Sequence, residues 1–456
     1  MSADTILVDR VPGETRVAAL AGATLVDLHI ARGDPRFAVG AIHLGRVAQL
    51  VQGFDGAFVD IGMEQAAFLR AGDAPAPPRA GDPLVVQIVR ATIGDKGLGV
   101  TARPRLAGRL LDWTPARPGV RTPRGMPPPA GLALAADEGV DVRAAAAGAP
   151  DAAIAAEADA LRTEWRRVLA AARGAVAPAA LAPGPDPWLG LVLHHGASLV
   201  AVRFADRATF VAARAAAERR LPGLADRFAL DAEGWRLFEM AGVEEQIAAA
   251  LRRRVPLPTG GSLTIDEAEA LTVVDVDAEG SRANPAAINR AAVPAVAAAL
   301  RLRGIGGQIL VDFVREGGTK SRDATIAAVR EAVSGDPEPV EIAGWSRLGL
   351  LEMTRRRARP SLAALLTTPR EDQPAAARAR AYDALRAGAR AAAGAGVTRI
   401  VVAAGAAVAA ELTGALAGDL AVLGEATSVA IGVVPDSTLG ATDFRVAPAH
   451  PGGSQR

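Results

Sequence analysis

The stretch that most constrains the fold runs from Leu271 to Val314. It begins LTVVDVDAEG, continues through a long Ala-rich run and closes with LRLRGIGGQILVDFV. Two apolar strand-like segments, 271–274 and 308–311, each end on an aspartate, Asp275 and Asp312, and Asp277 follows two residues after the first. Side chains alternate along a strand, so Asp275 and Asp277 point to one face. If the two strands are neighbours, three carboxylates converge at their ends. Ligands of α/β sheets sit at strand ends, and a cluster of hard oxygen donors is what a magnesium ion takes.

The chain has 456 residues, enough for roughly two to four domains and a large core. Hydrophobic residues make up 50% but aromatics only 4%, with alanine carrying much of the apolar count. Such small side chains bury little area each, so helix propensity must contribute alongside core packing. Lys and Arg number 51 against 50 Asp and Glu, a formal charge of +1. Global charge therefore gives no argument for a nucleic-acid partner, and any such argument rests on local clusters. The absence of cysteine excludes disulfides, thiolate zinc sites and thiol nucleophiles. The start, MSADTILVDRVPGETRVAAL, carries no cationic segment followed by an apolar core, and no uncharged apolar run is long enough to span a bilayer. The expectation is a soluble, cytoplasmic protein without a membrane partner.

Residues 3–33 alternate short β-like runs with turn signals. From Gly40, AIHLGRVAQLVQGFDGAFVDIGMEQAAFLRAGD gives strands rich in Val, Ile and Phe broken by glycine, and PLVVQIVRA continues them. Short strands with glycine corners suit a small closed barrel of the oligonucleotide-binding (OB) type. Residues 103–185 are less informative: a Pro/Gly/Arg loop precedes a helix blurred by alanine. WLGLVLHHGASLVAVRF reads as strands, which would turn His194 and His195 to opposite sides as ordinary polar positions.

Three stretches resemble the ribonuclease E/G family. GRVAQLVQGFDGAFVDIGMEQAAFL is similar to its S1-type RNA-binding domain, GVEEQIAAALRRRVPLPTGGSLTIDEAEALTVVDVD to the approach to its catalytic centre, and GWSRLGLLEMTRRRARPSL to the stretch beyond it. The resemblance implies an α+β and α/β multidomain chain: an RNase H-like and DNase I-like catalytic core, an inserted OB-fold barrel of S1 type, and a small C-terminal α/β domain. The boundaries it suggests are 1–35 and 188–262 for the RNase H-like part and 36–105 for the barrel. A degenerate 5'-sensor-like region would fill 106–187, the DNase I-like domain 263–366, and the small domain 367–456.

The same resemblance makes Asp275 and Asp312 the holders of a catalytic Mg²⁺, with Asp277 beside them where the family usually has asparagine. Phe58 and Phe68 match its RNA-stacking aromatics and Lys96 its basic contact, which agrees with the physics of rings and a cation on an open barrel face. Arg301, Arg303, Arg355 and Arg356, with Lys320 and Arg322 nearby, lie close to the carboxylate strands in sequence and are candidates for RNA phosphates.

The implied activity is Mg²⁺-dependent endonucleolytic cleavage of single-stranded RNA, in rRNA or tRNA processing or mRNA decay, leaving 5'-phosphate and 3'-hydroxyl ends. The chain departs from the family at several places. Arg315 stands where a second aspartate is usual and Ala291 where a glutamate is, although Asn289 is kept. GLALAADEG carries Ala135 and Ala136 where a phosphate-binding Arg and Thr are expected, so the 5'-end sensor is expected to be lost. The cysteines of the family's zinc link are missing, which excludes a zinc-joined dimer and leaves a homo-oligomer to other interfaces. These losses keep open an alternative, an RNA-binding paralogue with weak or no catalysis.

Overall fold

The computed structural model describes residues 2–51, 55–91, 97–221, 223–316, 319–367 and 373–448, and the architecture is a mixed α+β assembly of several sheets. One five-stranded sheet draws on two distant parts of the chain. Its order is Phe228–Leu230, Ala201–Phe204, Thr5–Val11, Glu14–Ala21, Thr24–Arg32. The three N-terminal strands form an antiparallel meander, and Ala201–Phe204 joins them in parallel. Both faces are covered. Ile6, Val8, Val17 and Ala19 meet the helices Pro187–His195 and Arg207–Arg220 on one side, and Leu7, Ala18 and Leu28 meet Leu237, Phe238, Val243 and Ile247 on the other.

Here the structure corrects one expectation. Residues 187–195 are a helix, with Pro187 in its first turn. Proline's missing N–H costs nothing at a helix start. His194 and His195 therefore sit edge to face, their ring centroids 4.6 Å apart. His195 is buried, and its Nδ1 accepts from the Ala3 amide at 3.0 Å. Burial, then the neighbouring His194 and Arg301, holds its imidazole down at about 4.

Inserted between the two parts is a closed five-stranded barrel. Its strands run Ile42–Val51, Gly56–Asp60, Ala67–Arg70, Gly99–Thr101, Pro83–Arg90 and back to the first. Ala41, Val59, Ile61, Leu69, Val86, Ile88 and Val100 fill it. A small four-stranded sheet follows, covered by the 24-residue helix Asp151–Gly174 through Trp113, Ile154, Leu161 and Val168.

The centre of interest is a six-stranded sheet. Its order is Arg254–Pro256, Ser262–Glu267, Leu271–Asp277, Gly307–Asp312, Leu351–Arg355, Val340–Trp345. Only the central pair, Leu271–Asp277 and Gly307–Asp312, is parallel. The helix Pro285–Leu302 connects them, capped by Asn284, whose side chain accepts from the Ala287 amide at 2.9 Å. That helix and Thr319–Val333 pack on the sheet face lined by Val274, Val276, Ile309 and Val311. Asp275 and Asp312, one residue out of phase with these valines, stay exposed. Three further strands, Arg399–Ala404, Ala430–Pro435 and Phe444–Pro448, form a C-terminal sheet with three helices around it. No single helix among the described residues is long and apolar enough to cross a membrane.

Candidate active site

Asp275 and Asp312 are register partners across the parallel pair, so both carboxylates leave the carboxyl ends of adjacent strands on the same face. Asp277 is two residues on. Its Oδ1 accepts from the Glu279 amide at 2.8 Å, and its Oδ2 faces Arg254 at 3.5 Å. Partial burial, then the charges of Asp312 and Asp277, pushes the Asp275 carboxyl above its usual range. Like charges held this close need a cation or shared protons.

The carboxylates floor an open cleft of about 630 Å³ whose lining includes Asn289, Arg315, Glu316, Arg322, Trp345 and Arg347. Buried Asn289 fastens the segment after Asp312. Its Nδ2 donates to the Val314 carbonyl at 2.7 Å, its Oδ1 accepts from the Val314 amide at 3.0 Å, and Nδ2 also meets Glu316 Oε1. Glu316 thus brings a further carboxylate to the cleft, one position past the place where Arg315 was read as a lost acid. Sequence reasoning missed Glu316, and its signal was the acid in VREGG.

The arginines divide differently from their order in sequence. Three of the four expected RNA contacts are interior. Arg301 donates to Asp27 at 3.0 Å, where the helix Pro285–Leu302 meets the N-terminal sheet. Arg303 is buried and donates to the Arg252 carbonyl at 2.6 Å. Arg355 is buried in a two-pronged pair with Asp336, at 3.0 and 2.8 Å, and also donates to the Ile305 carbonyl. Each spends donors on partners within the protein, Arg355 all three of its nitrogens, which turns them away from the phosphate role expected of them. Arg356 is exposed but paired with Glu338 at 2.7 Å. By contrast Arg315, Arg322 and Arg347 line the cleft, are exposed, and make no ion pair among the described residues.

On the barrel, Phe58 and Phe68 are register partners with ring centroids 5.7 Å apart, edge to face. Phe58 remains 38% exposed, which a ring serving only the core would not be. Gly56 makes room for the pair, since a Cβ there would lie 2.6 Å from the Phe68 ring. Lys96 lies outside the described residues. In the loop holding Ala135 and Ala136, Glu138 is clamped by Arg162 at 2.7 and 2.9 Å, and its Oε2 accepts from the Ala135 amide at 3.0 Å. That carboxylate already satisfies the nearest cation.

Comparison with known proteins decides the lineage. The Ribonuclease E/G family model matches residues 131–358, a span that contains the whole cleft. Ribonuclease G of Haemophilus influenzae is 31% identical over 400 residues, covering 79% of this chain and 81% of that protein. The chain belongs to the Ribonuclease E/G family. Ribonuclease G of Escherichia coli K12 is 32% identical over 394 residues, covering 78% and 80%. Ribonuclease E of the same organism is 28% identical over 396 residues, which span 76% of this chain but 36% of that protein. The aspartate pair, Asn289, Arg315 and Glu316 all sit inside the matched span.

Proposed function

We propose that this chain is a Mg²⁺-dependent endoribonuclease acting on single-stranded RNA, with the cleft at Asp275 and Asp312 as its catalytic site. The observation that carries the reading is the juxtaposition of a side-by-side carboxylate pair with three guanidiniums that make no ion pair among the described residues, in one open cleft. Its support from kinship is the name shared by its relatives, Ribonuclease G and Ribonuclease E.

The donor set suits magnesium, which keeps most of its waters and takes one or two protein carboxylates. Among the described residues no group of three or more His, Asp or Glu is placed to hold an ion together, so the expected convergence of three carboxylates is cut back to the pair Asp275 and Asp312. Asp275 and Asp312 would hold the ion, and when bound it supplies polarisation of a phosphate oxygen and a water of lowered pKa. Arg315, Arg322 and Arg347 bind phosphate oxygens and spread the charge that develops during transfer. Asn289 fixes Glu316 and the backbone after Asp312, holding the far side of the cleft in register. Phe58 and Phe68 stack bases of the incoming strand on the barrel. The products carry 5'-phosphate and 3'-hydroxyl ends. Because Glu138 occupies Arg162 where a terminal phosphate would need cations, cleavage is indifferent to the 5' end.

The Arg315 substitution also favours a second reading, an RNA-binding protein with weak or no catalysis. Incubating the purified chain with a fluorescent single-stranded RNA, with and without Mg²⁺, separates the two. Metal-dependent cleavage with equal rates on 5'-monophosphate and 5'-hydroxyl substrates is expected, and tight binding without cleavage would favour the second reading.

A further inference from the structure

One wall of the cleft is not made for phosphate. Trp345 ends the strand Val340–Trp345, and its ring meets Phe313 edge on with centroids 6.1 Å apart. Its Nε1 donates to the Arg322 carbonyl at 3.2 Å, and the Arg322 guanidinium lies over the indole, 5.7 Å from its centroid. The turn that follows is held by the Ser346 amide donating to the Leu350 carbonyl at 2.8 Å and by Ser346 Oγ accepting from the Leu350 amide at 3.1 Å. At its tip Leu348 is 84% exposed. An oriented indole, a guanidinium plane and an exposed leucine thus stand together over an acidic floor.

Phosphodiester chemistry needs no indole. Trp345 packs in part against the core of the sheet and yet lines the cleft, and with the exposed Leu348 it leaves apolar surface at a polar mouth. The occupant must have a flat face, tolerate a cation beside it, and be joined to a phosphate that can reach the carboxylates. An unpaired nucleobase meets all three requirements, because splayed bases stack on aromatic rings and on guanidinium planes. Resting on the endoribonuclease reading above, we propose that the Trp345, Arg322 and Leu348 wall is a subsite for one nucleobase flanking the scissile phosphate. Stacking is indifferent to base identity. The subsite therefore demands an unpaired base at a fixed distance from the cut without imposing a sequence. Selection of single strands then resides in the catalytic domain as well as in the barrel.

The test is a scan of single abasic positions through a fluorescent single-stranded RNA. Binding is measured with the full chain carrying Asp275→Asn, so that nothing is cleaved, alone and combined with Trp345→Ala, Trp345→Phe or Arg322→Ala. With the wall intact, one abasic position weakens binding about tenfold. That penalty falls below about twofold with Trp345→Ala or Arg322→Ala and largely persists with Trp345→Phe. Abasic penalties at Phe58 and Phe68 stay unchanged throughout, which separates the two stacking sites. A penalty profile identical in all four backgrounds overturns the subsite. Should Trp345→Ala fail to fold, Arg322→Ala decides, since Arg322 lies on the surface. Should the chain prove not to cleave RNA, the same scan on the unmodified protein still decides whether the wall binds a base.

Discussion

Glu14 and Asp275 are both acidic strand residues, and their surroundings are opposite. Glu14 is 2% exposed and ringed by Arg16 at 2.9 Å, Arg32 at 2.5 Å and Arg386. Burial pushes its carboxyl up, but Arg386, Arg16 and Arg32 together outweigh it and hold the group down at about 2. Asp275 has no such ring. Its nearest charges are two more carboxylates, and its carboxyl is raised. The first cluster is closed within the protein and joins the C-terminal helix Gln373–Ala392 to the N-terminal sheet. The second leaves charge unbalanced toward a cleft, which is how a site for an external cation and a polyanion is arranged.

That contrast can be broken most sharply at Glu14. Glu14→Gln removes the buried carboxylate that three guanidiniums share, leaving Asp383 as the close partner of Arg16 and Arg386, and is expected to cost about 3–5 kcal/mol, read by denaturant unfolding. Because the folded group titrates at about 2 against a usual 4.5, its contribution is complete above pH 4.5 and is lost as pH falls toward 2. An unfolding midpoint flat across that window would contradict the assignment.

Asp9 sharpens the same point with the opposite sign. It is buried near Arg386 and Arg16, its Oδ1 has no hydrogen-bond partner among the described residues, and burial raises it to about 6. The native state there holds its proton more tightly than the unfolded chain, so stability falls as pH rises from about 4 to 6. Asp9→Asn is expected to raise stability at neutral pH by roughly 1–3 kcal/mol and to change it little below pH 4. Thermal melts at the two pH values check it.

On the cleft side, Glu316→Ala, which removes the acceptor that Asn289 Nδ2 meets, should lower cleavage about ten- to a hundredfold by loosening the Asn289 clamp, while the fold is kept. Initial rates beside a melting curve separate the two effects. The smallest effect belongs to Asp275→Asn as a stability change. Relief of like charge across the strand pair makes it neutral or stabilising by no more than about 1 kcal/mol. A large destabilisation would place Asp275 in the frame with Glu14.

The carboxylate pair was legible in the sequence because strand alternation is local: LTVVDVD and QILVD each declare which face their aspartate takes. The barrel was legible for the same reason, from short strands punctuated by glycine. The arginines were not, because sequence shows a charge and not its partner. Arg301 finds Asp27, 274 positions away, and Arg355 finds Asp336 across a hairpin edge. Glu316 was missed because reading by pattern looked at the position of the expected acid and stopped one residue short. The helix at 187–195 was misread because a short apolar run fits either period, and the proline at its start was the neglected clue.

The central claim is that the Asp275 and Asp312 cleft cuts RNA. Cleavage of a fluorescent single-stranded RNA should require Mg²⁺ and fall by more than about a hundredfold in both Asp275→Asn and Asp312→Asn, with the RNA still bound. Cleavage at the unmodified rate in both variants would contradict it.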